Sequence, residues 1–281
     1  MWRKYEMMTN DLALNLSEQL RLILEPTLAT KLKGDYRTGK RLNMKKIIPY
    51  IASQFKKDKI WLRRTKPSQR QYQVMLAVDD SKSMGNPSTV QLTFESLALV
   101  TKALNQLEVG KLAIVSFGEK VNLLHSFDMP MTNDMGNQVI HQFSFNQQQT
   151  DLKKMLQTTL DYFEQSKGLA GNNEDLWQLQ LILSDGICES HDQLKALLRR
   201  AEELRVMVIF IVLDTKPNVS ESILNIQNVN YITNQDGQMT LSMNKYLDSF
   251  PFRFYTILKD VHSLPHVLAD ALRQYFSLVK E

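Results

Sequence analysis

Cysteine is nearly absent: one residue, Cys188, stands among 281. No disulfide can close within the chain, which fits a reducing compartment. An isolated cysteine is most often a small buried hydrophobe, and that reading of Cys188 is preferred to a reactive thiol three residues past Asp185. Long apolar runs are missing too. Nothing approaches the roughly 18 residues of a membrane span, and the first residues lack the apolar core of a secretory leader. A soluble chain without membrane contact is expected, and no internal repeat or low-complexity tract interrupts it.

Signatures of catalysis are also scarce. Gly34-Asp35-Tyr36-Arg37-Thr38-Gly39-Lys40-Arg41 meets seven positions of the nucleotide-binding pattern G-x-x-x-x-G-K-[ST], but Arg41 stands where the pattern needs a hydroxyl for Mg²⁺. The preceding Leu28 to Lys33 is not a convincing strand, so the two glycines read as turn residues. No G-x-S-x-G elbow surrounds Ser81 or Ser83. His262 and His266 have i,i+4 spacing, yet Ser263 replaces the glutamate of H-E-x-x-H and Pro265 intervenes. They are placed around the start of the last helix. His125, His141 and His191 have no sequence partner that suggests a triad.

The apolar fraction of 43% is enough for a sizeable core, and the length allows one large or two ordinary domains. Charge is uneven. Residues 1–70 hold 17 Lys and Arg against 6 Asp and Glu, whereas residues 71–281 hold 17 against 24. The basic block between Lys31 and Arg70, with Tyr36, Tyr50, Phe55 and Trp61 interleaved, reads as an RNA-binding arm, an import signal or a solvated face. Within it, Lys56, Lys57, Arg63 and Arg64 are the candidate residues for nuclear import or RNA contact. Ile47, Ile48, Ile51 and Phe55 recur there at helical spacing.

The chain divides near Pro67, giving a basic, largely helical extension over 1–70 and a second domain over 71–281. Before the divide, Leu12 to Leu24 is amphipathic and stops at Pro26, and shorter helices are expected around Lys40 to Phe55. After it, strands are predicted at Gln73 to Val78, Lys111 to Phe117, Leu176 to Leu183, Val206 to Leu213 and Phe252 to Leu258. Val121 to Leu124 is expected as a hairpin partner across a turn at Gly118-Glu119. Helices are predicted at Thr89 to Leu107, Asn133 to Gln142, Leu152 to Gln165, Asp192 to Leu204 and Leu264 to Leu278, with a short one near Ser220 to Ile226. Such alternation implies an α/β, Rossmann-like fold: a mostly parallel sheet covered by helices on both faces.

Two of those strands end in carboxylates. Val74 to Val78 runs into Asp79-Asp80-Ser81-Lys82-Ser83, and Leu176 to Leu183 into Ser184-Asp185-Gly186. Ligand sites of parallel α/β sheets gather outside the carboxyl ends of the strands, so Asp79 and Asp185 can meet there. Asp-x-Ser-x-Ser puts a carboxylate and two hydroxyls on one side of a turn, oxygen donors that suit a hard cation. The plainer reading is a turn that caps the next helix. Between the two strand ends lies Phe145 to Asp151, where Thr150 either caps the following helix or supplies a third oxygen-bearing loop. A hydrolase using the Asp79 cluster is the rival, but an aspartyl nucleophile would want a second carboxylate where Ser81 stands.

Asp79-x-Ser81-x-Ser83, then Thr150, then Asp185-Gly186, resembles the metal-ion-dependent adhesion site of the von Willebrand factor A domain family. The resemblance implies Mg²⁺, with Mn²⁺ or Ca²⁺ as substitutes in vitro. It also implies hydroxyl ligands from Ser81, Ser83 and Thr150, aspartates acting largely through water, and a partner's Glu or Asp completing the shell. Asp151 competes with Thr150 for the third-loop role. Loops around Lys82, Met84, Asp151 and Gly186 would then touch the partner.

The flanks narrow the resemblance. Gly34 to Met44, Ile47 to Phe55, Asp58 to Pro67, Val115 to Glu119 and Ala271 to Phe276 are similar to the C-terminal end of a family of very large nuclear AAA+ ATPases of ribosome assembly. That likeness implies a non-catalytic module of such a motor, since the chain carries none of the ATPase ring. It implies nuclear location, in nucleolus and nucleoplasm, and partners that are WD40-repeat assembly factors with a ubiquitin-like domain, removed from the pre-60S particle.

Overall fold

A computed structural model describes residues 1–24, 32–64, 71–107, 110–169, 176–186, 191–215, 223–233 and 239–279. Cys188 and most of Leu28 to Lys33 lie outside the described residues. The chain forms two units: residues 1–23 with 71–281, and residues 24–70. Helix α1 (Trp2–Met8) and helix α2 (Asn10–Leu24) open the first. Trp2 explains why the N-terminus joins this unit, and residues 1–23, with three basic and three acidic residues, share none of the basic block's charge excess. Its side chain is 1% exposed, its backbone N–H donates to Asn137 Oδ1 at 3.0 Å, and its ring lies where a Cβ on Gly136 would collide.

Residues 24–70 are less helical than their periodicity suggests. Strands β1 (Leu32–Tyr36), β2 (Arg41–Leu42) and β3 (Trp61–Arg64) form an antiparallel sheet in the order β1-β3-β2, joined by helix α3 (Met44–Ala52). Asn43 caps α3 by accepting from Lys45 N at 3.2 Å. Gly34 to Arg41 therefore runs from strand to turn to strand. A phosphate-binding loop needs a helix after its lysine, so nucleotide binding of that type is excluded here. Ile48 and Ile51 keep their helical spacing on α3 but are exposed, and Phe55 stands beyond the helix in a left-handed turn, also exposed.

The main sheet begins with β4 (Gln71–Asp79), whose residues from Tyr72 on are all buried. A strand covered on both faces reads as a continuous apolar run rather than an alternation, which is why it is visible in the sequence. Helix α4 (Pro87–Leu107) follows, then β5 (Gly110–Phe117), β6 (Asn122–His125), helices α5 (Asn133–Gln142) and α6 (Leu152–Leu169), β7 (Leu176–Ser184), helix α7 (His191–Leu204) and β8 (Val206–Leu213). Strands β9 (Gln227–Thr233) and β10 (Met239–Lys245) form a separate antiparallel pair. β11 (Tyr255–Leu258) and helix α8 (Leu264–Val279) close the chain.

The six-stranded order is β11-β8-β7-β4-β5-β6, parallel except for β6. Met75 and Ala77 of β4 face α6 and α7 in one core with Leu156, Phe163, Leu194 and Phe210. Strand alternation turns Val74, Leu76 and Val78 to the other face. Because β4 has β5 on one side and β7 on the other, the chain reverses its direction of travel across the sheet at β4. Asp79 pairs in register with Phe117, and Val78 with Leu183, so three strand ends come level at this switch point.

Candidate metal centre

Asp79 is the last residue of β4 and has no exposed surface. One carboxylate oxygen accepts from Ser81 N at 2.9 Å, the other from the hydroxyl of Ser184 at 2.6 Å. Burial pushes the Asp79 carboxyl up to about 6, the bonds from Ser184 and Ser81 oppose this, and the charge of Asp185 adds to it. An anion so placed gains from any nearby cation. The hydroxyls of Ser81 and Ser83 stand 2.9 Å apart at the head of a 3-10 turn over Lys82–Gly85. Asp79, Ser81, Ser83 and Asp185 thus gather at one end of the sheet. No group of three or more His, Cys, Asp or Glu is clustered among the described residues, so a cation here would rest on hydroxyls as well as carboxylates.

Sequence reasoning passed over Asp80. Adjacent residues of a strand end point to opposite sides, so only one of two neighbouring aspartates can join the hydroxyls. Asp80 turns the other way, 3% exposed, and accepts from Ser144 N at 2.9 Å, Phe145 N at 2.6 Å, the Ser144 hydroxyl at 3.2 Å and Gln147 Nε2 at 2.9 Å. Four donors on one carboxylate tie the third loop to the first. One backbone contact repeats the tie, Lys82 N donating to Gln147 O at 2.7 Å, and another holds the third loop to the end of β5, Asp151 N donating to Gly118 O at 3.1 Å. The signal was present as a second acidic residue beside the first.

That loop settles what Asp151 does. Helix α6 starts at Leu152, and Asp151 caps it by accepting from Lys154 N at 2.8 Å. Thr150 is half-buried and makes no hydrogen bond to a described residue. Met84 is buried outright and anchors the first loop, whose surface is formed by Lys82, Ser83 and Gly85. Gly186 lies at φ +84°, and a Cβ there would stand 2.6 Å from Ile223 Cδ1 and 2.9 Å from Val212 Cγ1. Only glycine fits that turn. Tyr246, absent from the sequence-based set, fixes it by donating its phenol to Gly186 O at 3.1 Å. His262 and His266 lie at the start of α8, where His262 N is bonded to Asp260.

The chain matches the family model of the von Willebrand factor type A domain over residues 74–186. Midasin of Dictyostelium discoideum is 47% identical over 281 residues, all of this chain and 5% of that protein. Midasin of Giardia intestinalis is 39% identical over 275 residues, 96% of this chain and 6% of that protein. The chain therefore spans only a small part of the length of the curated relatives it matches. Solved structures resemble it at low identity. BatB from Bacteroides thetaiotaomicron has a TM-score of 0.48 and 13% identity over 73% of this chain and 99% of that one. Proximal thread matrix protein 1 of the mussel byssus, crystallised with a zinc-occupied motif, has a TM-score of 0.46 and 14% identity over 74% of this chain and 46% of that one. Residues 74–186 carry a von Willebrand factor type A domain, and the chain is similar along its whole length to the C-terminal region of midasin.

Proposed function

We propose that the carboxyl end of the sheet holds one Mg²⁺ and, through it, the carboxylate of a protein partner. The donor set supports this reading: two hydroxyls converge beside a carboxylate whose burial leaves its charge uncompensated. Ser81, Ser83 and Thr150 are assigned as hydroxyl ligands, with Asp79 and Asp185 acting largely through water. Thr150 is chosen over Asp151 because its hydroxyl makes no hydrogen bond to a described residue, whereas the Asp151 carboxylate caps α6 at Lys154 N. A divalent cation held mostly by neutral oxygens retains much of its charge and offers a direct bond to an incoming Glu or Asp. Mn²⁺ or Ca²⁺ would substitute in vitro.

The residues around these ligands do the positioning. Ser184 and Ser81 N orient Asp79, Asp80 fixes the third loop, and Tyr246 with Gly186 fixes the second strand end. Lys82 and the surface near Gly186 border the docking carboxylate. Such a site binds and does not turn over a substrate, which fits a non-catalytic module of a motor. By relation to midasin, the partners are ubiquitin-like domains of WD40-repeat ribosome assembly factors, in the nucleus. The ATPase ring of the full-length protein would supply the force that removes them from the pre-60S particle. Lys56, Lys57, Arg63 and Arg64 are assigned to nuclear import or RNA contact.

One observation carries the reading: the Ser81–Ser83 hydroxyl pair beside fully buried Asp79. A purified ubiquitin-like domain of a WD40-repeat assembly factor should be retained by this chain in Mg²⁺ and released by EDTA. Equal retention in both would overturn it.

A further inference from the structure

A cavity of about 790 Å³ opens at the other end of the sheet, where β7 and β8 begin. It lies about 25 Å from Asp79, judged from the length of β7 at ~3.3 Å per residue. Its floor is aromatic. Trp177 and Phe254 both meet Tyr275 edge to face, with centroids 6.4 and 6.0 Å away, and all three rings are half-buried.

Its rim is cationic. Among the described residues, Lys195, Arg199, Arg205 and Arg253 line it together with the carboxylate of Glu202. This is not the background of the surrounding chain, because residues 71–281 hold 17 Lys and Arg against 24 Asp and Glu. Arg199, Arg205 and Arg253 form no salt bridge with a described residue. Arg205 ends α7 at φ +61°, a left-handed position where glycine or asparagine is the ordinary choice. An arginine there is a costlier backbone solution that sets a guanidinium at the mouth of the cavity. Arg253 lies 5.8 Å from the Phe254 ring centroid, a cation over an aromatic face.

We propose that this cavity binds a nucleoside phosphate, its base against the Trp177, Phe254 and Tyr275 floor and its phosphate on the arginine rim. Guanidinium forks pair with phosphate through two parallel N–H···O bonds, which a carboxylate-rich rim could not provide. Bases stack on aromatic side chains whatever their sequence. The volume falls within the range of small-molecule sites. An acidic peptide would use the rim and leave the aromatic floor idle. The same chemistry is offered by a free nucleotide and by an unpaired nucleotide of an RNA strand.

Calorimetric titration of the full chain with adenosine monophosphate, adenosine, ribose 5-phosphate, hexauridylate and hexaglutamate tests this. A nucleoside phosphate should bind saturably, with adenosine and ribose 5-phosphate each weaker by about tenfold, since each keeps only half of the recognition. Binding of the monophosphate identifies a free nucleotide as a sufficient ligand, and binding of hexauridylate alone identifies an RNA strand. Arg199→Glu with Arg253→Glu should weaken binding at least about tenfold while leaving the melting temperature and Mg²⁺ titration unchanged. Both side chains are exposed, and Arg199→Gln with Arg253→Gln gives a milder version of the same loss. No binding of either nucleoside phosphate, undiminished binding by the folded double variant, or hexaglutamate binding as tightly as the monophosphate would overturn the assignment.

Discussion

Asp79 meets two opposed demands. Without a cation its charge is unfavourable, because burial raises its carboxyl to about 6 from an ordinary 3.8. The folded, metal-free protein then holds a proton that the unfolded chain has released, so stability falls as pH rises from about 4 to 6 and stays low above that window. At 1.36 kcal/mol per unit the penalty is about 3 kcal/mol. Asp79→Asn keeps an acceptor for Ser81 N and removes the charge. In EDTA at pH 7 it should melt higher than the parent, by about 1–3 kcal/mol of stability, while Mg²⁺ titration shows no binding. Thermal melts at pH 4 and 7 give the comparison, and a variant less stable than its parent at pH 7 would contradict the electrostatic account. Asp80→Ala makes the contrasting case. It leaves the N–H groups of Ser144 and Phe145 without their acceptor, costing about 2 kcal/mol or more. Hydrogen exchange at both amides should rise even where Mg²⁺ is saturating.

At the scale of elements, what could be read in advance was whatever packing imposes on composition. β4 and β8 are buried on both faces and stand out as apolar runs, and α4 and α6 show helical spacing long enough to be unambiguous. The β9–β10 pair escaped notice: its strands mix apolar residues with Asn, Thr and Ser and lack the continuous run of a covered strand. α1 escaped for another reason, since its seven residues are too few to show a period and its place depends on single contacts such as buried Trp2 and the Tyr5 ring against Phe94. In 24–70 the apolar spacing of α3 was visible, but strands as short as β2 are not. The hydroxyls and strand-end aspartates assigned to the proposed centre stand in the sequence as residue types at fixed spacing. Their supports, Asp80, Ser184 and Tyr246, were not legible there, because each depends on a contact far away in sequence. Gly186 belongs to this scale too, since its turn aligns β7 with the site. Gly186→Ala imposes the left-handed penalty of about 1–2 kcal/mol and crowds Ile223 and Val212. A fall in melting temperature with weaker Mg²⁺ binding is expected; unchanged values in both would show that the turn relaxes without cost.

Over the whole molecule, charge and chemistry are segregated. The basic residues concentrate in 1–70, while 71–281 carries the acidic excess and the centre. A partner attracted only by the basic block would respond to salt, since exposed charges are screened beyond about 10 Å at 0.1 M. A partner docking by direct coordination would respond to chelation and tolerate moderate salt. Two variants separate these cases. Ser81→Asp adds a carboxylate where a neutral hydroxyl now stands 2.9 Å from Ser83, so it would neutralise a bound cation and occupy space for the partner's acid. It should keep the fold, bind Mg²⁺ at least as well, and lose ubiquitin-like-domain binding by about tenfold or more, because the docking carboxylate would meet another anion. Neutralising Lys56, Lys57, Arg63 and Arg64 should leave that binding and its EDTA sensitivity intact, while reducing nuclear accumulation of a fused reporter. The partner side supplies the last control: one Glu or Asp, changed to Ala, should remove binding while its other acidic residues can be neutralised one at a time with little effect. Binding to the Ser81→Asp chain at parental affinity, or binding that fades with salt and ignores EDTA, would move recognition away from the sheet end and onto the charged surface.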